Sequence, residues 1–318
     1  MRRMLRKGMM WLLAAVLLVS CTLMLRQQIY YHQAQQAYQQ AQTIVRNDPA
    51  TVPAEPAVSP EPEVPQEEPK VLPDEPEVPL AETPHIPEPL PEPQQAPLEE
   101  QARYLETLDL GALRRTNPDV LGWISIPGTQ LDYPVLQSED NQYYLTRTWE
   151  KQRNSAGSVF LECQLSGDFS EFNTILYGHN MKNGSMFGSL RQYRTQSHYE
   201  ANPHIYMTDG ETIRRYEIFA AFEAEVTGYT YRLDINTPEK KQALLDYSLA
   251  RSVIDAEAVP TPEDAVITLS TCTGNGYDTR WVVQAVLTGQ FPVQTAEPAA
   301  PAAEHCNGSL PESGGTDG

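Results

Sequence analysis

A cysteine and an arginine stand at the facing ends of two apolar runs in the C-terminal third of the sequence. The run AVITLSTC ends at Cys272, and the run RWVVQAVL begins at Arg280. Both runs favour strands, and Gly274-Asn275-Gly276 is typical of a turn between them. Antiparallel pairing brings the thiol and the guanidinium to one sheet edge, where a cation favours the nucleophilic thiolate. The alternative is that Cys272 is a small buried hydrophobe that never reacts.

A histidine follows another apolar run in a similar way. The segment NTILYGHN reaches His179 directly after a predicted strand, and a glycine-containing loop follows. Nucleophilic catalysis by cysteine needs a base or a cationic partner for the sulfur. We therefore predict that His179 and Cys272 work together, the alternative being a purely structural histidine.

Together these residues resemble the signature of the sortases, the cysteine transpeptidases of Gram-positive cell envelopes. The resemblance rests on TLSTC at Thr268–Cys272, on Arg280 and on YGHN at Tyr177–Asn180. Further segments match in the same order: LGWISIPGTQLDYPVLQ at Leu121–Gln137, DNQYYL at Asp140–Leu145, AGSVFLE at Ala156–Glu162 and SMFGSLRQY at Ser185–Tyr193. The resemblance covers about 110–291, and segment 237–255 is similar to the additional helix of the class B branch.

The resemblance implies a reaction in two halves. Cys272 attacks a carbonyl in the sorting pentapeptide of a surface protein and forms a thioacyl enzyme. An amine then resolves it, either on a peptidoglycan precursor or on a pilin lysine. His179 protonates the leaving amine and deprotonates the incoming one. Arg280 stabilises the substrate or the tetrahedral oxyanion.

Three further residues are assigned to substrate binding. Thr271 and Ser270 precede the nucleophile, and backbone amides at Thr271-Cys272 are candidates for the oxyanion site. Asn180 follows His179, with shaping of the turn as its alternative role. The chemistry implies no metal and no cofactor, and the sequence has neither a calcium-loop pattern nor zinc-spaced cysteine pairs.

The predicted fold is mainly β. Many short strands separated by turn signals favour a closed barrel, which removes exposed sheet edges. The resemblance specifies a sortase-like closed β-barrel of about eight strands. Within it, His204–Met207 and Thr212–Val226 are predicted to form a hairpin around Asp209-Gly210.

Two helices accompany the predicted barrel. An N-terminal helix is predicted over Glu99–Arg115, where Asn117-Pro118 stops it. An inserted helix is predicted over Pro238–Asp255. The residues expected to face inward are Ala102, Leu105, Leu108 and Leu113 in the first helix, and Leu244, Leu245, Leu249 and Val253 in the second.

The first 26 residues indicate a membrane anchor. MRRMLRKG is basic, and an apolar run extends from Met9 to Leu25. This pattern predicts a single transmembrane helix with a cytoplasmic N-terminus and an extracellular catalytic domain. The alternatives are a cleaved signal peptide, and a lipoprotein box with lipidation at Cys21.

The remaining segments divide by composition. Residues 27–47 predict a juxtamembrane helix or a frayed polar helix, and 48–98 a disordered Pro/Glu-rich linker that acts as a spacer or an inert tether. The catalytic domain is assigned to 99–291 and a loose tail to 292–318. In that tail, Leu310–Gly314 resembles a sorting signal but lacks a following apolar segment, and we interpret it as coincidence.

A disulfide involving Cys163 or Cys306 is not expected.

The composition narrows the function classes. The chain has 42 acidic and 23 basic residues and a formal net charge of −19. Much of this acidity lies in the linker, and it argues against nucleic acid, which requires basic patches. Two alternatives to a transpeptidase stay open: a cysteine peptidase that passes the acyl group to water, and a non-catalytic envelope scaffold.

Overall fold

The computed structural model describes residues 2–46, 100–273 and 278–293, without the side chains of 2–8, 10, 12 and 14. The predicted linker 48–98, the turn Gly274-Asn275-Gly276, Cys306 and the Leu310–Gly314 motif therefore lie outside the described residues.

Eight strands in the described part of the chain form a closed barrel, as the sequence predicts. The order around the barrel is β1-β2-β3-β4-β7-β8-β6-β5, and β5 pairs with β1 to close it. Large side chains such as Trp123, Tyr144 and Trp149 are completely buried in the core. The strands are β1 Val120–Ser125, β2 Asp132–Leu136, β3 Val159–Leu161, β4 Asn173–Tyr177, β5 His204–Thr208, β6 Thr212–Glu225, β7 Val266–Cys272 and β8 Thr279–Pro292.

Two strand pairs in this barrel are parallel, and the others are antiparallel. The parallel pairs are β2 with β3 and β4 with β7. Because β4 and β7 run in the same direction, the residues that follow them emerge at the same end of the barrel. This end is where the sequence predicts the reactive residues.

The predicted hairpins are confirmed. Strands β5 and β6 pair antiparallel around the turn, with Thr208 opposite Ile213. Gly210 takes a φ of +91° in this turn, a conformation that glycine adopts without a steric penalty. Strands β7 and β8 also pair antiparallel, so the two apolar runs that flank the predicted loop form one β-ribbon.

The prediction of a single N-terminal helix is wrong, because the structure has two helices in this region. They are α2, Glu100–Glu106, and α3, Leu110–Thr116. Asp109 causes the break, since its side chain accepts a hydrogen bond from the amide of Ala112 and caps the second helix. All four residues predicted to face inward are buried: Ala102, Leu105, Leu108 and Leu113.

The inserted helix is shorter than predicted. A short helix, α4 Gln196–Ala201, precedes β5, and the inserted helix α5 covers Pro238–Leu249. Thr237 caps α5, because its hydroxyl accepts a hydrogen bond from the amide of Lys240. The helix ends early because the amide of Val253 donates instead to the carbonyl of Ala221 in β6, at 2.8 Å. Leu244 and Leu245 are buried as predicted. The inward prediction is wrong for Leu249 and Val253, which are 39% and 56% exposed.

The N-terminal residues form one continuous helix, α1, which covers Arg2–Val45. Its C-terminal part packs on the barrel through one stripe of buried side chains: Ala34, Ala37, Tyr38, Ala41 and Val45. The indole of Trp149 donates to the carbonyl of Ala37 at 2.8 Å, and the amide of Asn154 donates to the carbonyl of Tyr30 at 3.0 Å. The region predicted as a juxtamembrane helix thus has a packing partner.

The residues that flank the predicted linker meet on the barrel surface. Arg46 and Tyr104 both hydrogen-bond Asp132, and the guanidinium also donates to the Tyr104 hydroxyl at 3.2 Å. The amide of Asp109 donates to the carbonyl of Val45 at 2.7 Å. The described segments on either side of the linker are therefore fixed to the same face of the domain.

Within the part of the chain described here, no helix combines the length and the apolar character that crossing a membrane requires.

Candidate active site

The predicted cysteine and arginine lie directly opposite each other. Cys272 is the last residue of β7, Arg280 is the second residue of β8, and the two are paired in the antiparallel register. Cys272 is a free, half-buried thiol, and Arg280 is also half-buried. Strand pairing alone therefore brings a cation beside the candidate nucleophile.

The predicted histidine reaches the same place from the other side. In the parallel register of β4 and β7, Tyr177 pairs with Ser270. His179 and Cys272 each follow two residues later, and the amide of Gly178 still donates to the carbonyl of Ser270 at 3.2 Å. Since neighbouring strands lie about 4.8 Å apart, His179 and Cys272 emerge side by side. His179, Cys272 and Arg280 thus lie in this order at one end of the barrel, at the ends of the adjacent strands β4, β7 and β8.

Backbone groups from distant segments hold the imidazole. Nε2 of His179 lies 2.8 Å from the carbonyl oxygen of Leu145. A carbonyl only accepts hydrogen bonds, so this contact requires a proton on Nε2 and leaves Nδ1 as the ring nitrogen that the contact does not engage. Gly157 lies against the ring, because a Cβ there would come within 3.0 Å of Cδ2 of His179. Main-chain atoms of Leu145 and Gly157 therefore support the imidazole ring, and we call them the active-site floor.

The three residues predicted to bind substrate instead make supporting contacts in this structure. The amide of Asn180 donates to the carbonyl of Cys272 at 2.7 Å, and the hydroxyl of Thr271 donates to the carbonyl of Gly178 at 2.7 Å. Ser270 and Thr271 are each 2% exposed. The side chains of Asn180 and Thr271 therefore connect the end of β7 to the segment that carries His179. Their contact with substrate stays a prediction.

A tyrosine that sequence reasoning missed also lies at the site. The hydroxyl of Tyr231 is 2.8 Å from Oγ of Ser270, and its ring stacks on that of Tyr177 with centroids 6.5 Å apart. Burial raises the pKa of Tyr231 to about 12, and the nearby positive charge of Arg280 opposes this shift. Tyr231 belongs to a short 3-10 helix, Tyr229–Tyr231, between β6 and α5. The aromatic pair in this turn was its only sequence signal.

The first residues of β8 carry a polar network beside the arginine. The hydroxyl of Thr279 donates to the carboxylate of Glu223 at 2.6 Å and lies 3.1 Å from that of Thr273. Nη1 of Arg280 donates to the carbonyl of Thr279 at 2.9 Å. This contact directs one nitrogen of the guanidinium towards the backbone of the preceding residue. A fixed guanidinium is suited to stabilising an anion that develops beside it.

Comparison with known proteins identifies the family. The model of the sortase domain matches residues 124–288. The chain belongs to the sortase family. It is 36% identical over 181 residues to sortase B of Listeria monocytogenes, covering 56% of this chain and 74% of the relative. Residues 124–288, which the family model matches, contain all three candidate catalytic residues.

Solved sortase structures agree with this assignment. A Staphylococcus aureus sortase B–substrate complex matches with a TM-score of 0.53 at 32% identity, covering 56% of this chain and 83% of the other. A crystal structure of sortase B complexed with triglycine matches with a TM-score of 0.53 at 32% identity, covering 56% and 85%. The resemblance to class B is thereby confirmed. Sortases are cysteine transpeptidases of the Gram-positive cell surface, and this chain is an enzyme of that type.

Proposed function

We propose that this sortase cleaves a C-terminal sorting pentapeptide of surface proteins and transfers the new carboxyl end to an amine of a cell-wall precursor. The proposal rests on one observation, the strand register that aligns His179, Cys272 and Arg280 at one end of the barrel. A nucleophile, a proton carrier and a cation in adjacent positions suit acyl transfer through a covalent intermediate.

The first half-reaction forms the thioacyl enzyme. The Cys272 thiolate attacks the scissile carbonyl carbon, and the charge that develops on the oxygen is stabilised by the guanidinium of Arg280. Collapse of this intermediate breaks the carbon–nitrogen bond, and the leaving amine takes a proton from His179. The downstream peptide departs, and the upstream acyl group stays on sulfur.

The second half-reaction reverses these roles. An incoming amine attacks the thioester carbon and gives a proton to His179 as the new amide bond forms. The carbon–sulfur bond then breaks and regenerates the thiolate. One histidine serves both halves because an imidazole both donates and accepts a proton near neutral pH.

The amine is the finer part of the proposal. A sortase B structure that resembles this chain is complexed with triglycine, a short peptide with a free amine. We propose a wall-precursor amine of this kind as the acceptor, with a pilin lysine as the second candidate. Triglycine and a lysine-containing peptide are therefore the two acceptors to compare.

We also propose that the enzyme is held at the membrane through α1. The described side chains in the first part of this helix are apolar and exposed, including Trp11 at 77% and Leu18 at 68%. Arginines and a lysine precede them in the sequence. Positive charge on that side favours a cytoplasmic N-terminus and an external barrel.

Product analysis tests the function. The full chain is incubated with a library of pentapeptide sorting signals, with and without triglycine, and the products are identified by mass spectrometry. The proposal predicts a triglycine-ligated product that forms at the expense of the free acid. Formation of the free acid alone, at any triglycine concentration, would instead identify a cysteine peptidase.

A further inference from the structure

One residue of α1 contacts the main chain that supports the catalytic histidine. The hydroxyl of Tyr38 donates to the carbonyl of Gly157 and lies 3.0 Å from the hydroxyl of Ser158. Gly157 is the residue whose backbone lies against the edge of the His179 ring. A side chain on the N-terminal helix is thus two contacts away from the imidazole.

The segment at residues 157–158, which Tyr38 contacts, is hydrogen-bonded to the segment that carries Leu145, the other residue that supports the His179 ring. The amide of Ser158 donates to the carbonyl of Tyr144 at 2.9 Å, and the hydroxyl of Ser158 donates to the carbonyl of Arg147 at 2.8 Å. Leu145, which accepts the hydrogen bond from His179, lies between Tyr144 and Arg147 in the sequence. Movement of residues 157–158 would therefore shift both supports of the imidazole together.

A second route connects Tyr38 to the loop that follows His179. The ring of Tyr38 packs edge-on against Tyr133, with centroids 5.2 Å apart. The hydroxyl of Tyr133 accepts the amide of Met186 at 3.1 Å, and the next amide, that of Phe187, donates to the carbonyl of His179 at 3.0 Å. Tyr38 is therefore connected to the His179 ring through Gly157, and to the His179 backbone through Tyr133 and the loop at Met186 and Phe187.

The environment of Tyr38 suits a permanent contact. The side chain is 5% exposed, and its burial raises the pKa of the hydroxyl, which therefore remains a donor at neutral pH. A buried hydrogen bond is costly to lose, because the carbonyl that it leaves lacks water as a replacement partner. Through Tyr38, the active-site floor includes a helix that ends at Val45, whereas the first barrel strand begins at Val120.

We propose that Tyr38 is a positioning residue for His179, and that docking of α1 on the barrel sets the orientation of the catalytic imidazole. This inference rests on the proposed role of His179. Tyr38 itself touches neither substrate nor the reacting atoms. It acts through the turn at 157–158 and through Tyr133.

The test uses the full chain and removes one oxygen. Tyr38→Phe keeps the ring and its packing on Tyr133 but removes the donor. Tyr30→Phe is the matched control, because it makes the same change on the same helix, where the hydroxyl contacts Arg26. We expect Tyr38→Phe to lower kcat about fivefold, as the loss of one buried hydrogen bond implies, with KM unchanged. Tyr30→Phe should leave both constants unchanged.

A spectroscopic readout separates positioning from general stability. The ring signals of His179 in NMR spectra, assigned by comparison with His179→Ala, should shift in Tyr38→Phe and stay in place in Tyr30→Phe. A lower melting temperature with unchanged kcat and unchanged histidine signals would overturn the proposal. If His179→Ala itself retains activity, the proposed function fails, while the NMR comparison still decides whether Tyr38 orients the ring.

A second variant covers the case in which Tyr38→Phe does not fold. Ser158→Ala removes the other hydroxyl at the turn and leaves α1 unchanged. We expect a smaller fall in kcat, in the same direction, with the same histidine signals shifted. Where Tyr38→Phe does fold, the effects of the two substitutions on kcat should not add in the double variant, because both act through one turn. Wild-type kcat and signals in Ser158→Ala, or fully additive effects, would contradict the proposed route.

Discussion

The two sides of the active site are built in different ways. Cys272 and Arg280 lie within paired strands, so main-chain hydrogen bonds of the barrel determine their positions. His179 lies two residues beyond β4, and it is held by a carbonyl, a glycine and, in our proposal, a helix from the other end of the sequence. The strand-held pair should therefore resist changes in its surroundings, whereas the loop-held histidine should depend on distant residues.

The largest expected effect is loss of the sulfur. Cys272→Ala should reduce peptide cleavage and ligation to the uncatalysed background, because no thioacyl intermediate can form. A fluorogenic sorting peptide provides the assay. Cys163→Ala is the matched control, since Cys163 is also a free thiol but lies beside Glu162, and it should retain wild-type activity. Turnover of Cys272→Ala near the wild-type rate would remove this residue from the mechanism.

The next effect tests the other member of the strand-held pair. Arg280→Lys should lower kcat/KM about 10²- to 10³-fold, because an ammonium does not reproduce the planar donor geometry of a guanidinium. Steady-state kinetics with the same peptide measure this. Arg251→Lys, an exposed arginine after α5, should have no effect. Full activity of Arg280→Lys would reduce Arg280 to a charge without a directional role.

A glycine substitution tests the loop-held side. Gly157 has a φ of +58°, and a Cβ there would lie 2.6 Å from the carbonyl oxygen of Tyr144 and 3.0 Å from His179. Gly157→Ala should displace the imidazole and lower kcat about 10²-fold, as a misplacement of about 1 Å can. At Gly167, a Cβ would meet only side-chain atoms, at 3.3 Å or more, so Gly167→Ala is the control. An unchanged kcat in Gly157→Ala would show that the histidine does not need this floor.

The smallest effect concerns the bond that joins the two sides. Asn180→Ala removes the donor to the carbonyl of Cys272 and should lower kcat about 5- to 10-fold. Asn183→Ala serves as the control, because the side chain of Asn183 accepts from Ser185 within the same loop. Equal kinetics of the two variants would indicate that the two sides do not need this connection.

The strand-held side was predictable from the sequence. The β-branched runs before Cys272 and after Arg280 favour strands, and the glycine-containing sequence between them favours antiparallel pairing. The sequence therefore predicted that both residues lie at one sheet edge, and the structure supplies the register that pairs them directly. The sequence pattern also predicted a closed barrel and the position of His179 after a strand, and the resemblance to sortases specified about eight strands. Local pattern and family signature thus indicate the candidate reacting groups.

The supports of the histidine were not predictable in the same way. Leu145 contacts His179 through its main-chain carbonyl, Gly157 can approach the ring because it has no side chain, and Tyr38 contacts the carbonyl of Gly157. None of these features leaves a periodic pattern in the sequence. Tyr231 belongs to a short turn with no strand or helix pattern. The start of α3 and the end of α5 were also missed, because Asp109 and Val253 make hydrogen bonds outside the helical pattern. Contacts made by the backbone across long sequence separations need the folded structure.

The most direct test of the account is to locate the acyl group. The full chain is mixed with the sorting-peptide library in the absence of an amine, quenched in acid and digested, and the modified peptide is identified by mass spectrometry. The account predicts a thioester on Cys272 that disappears when triglycine is added before the quench. An acyl group on Cys163, or turnover without any adduct on Cys272, would contradict it.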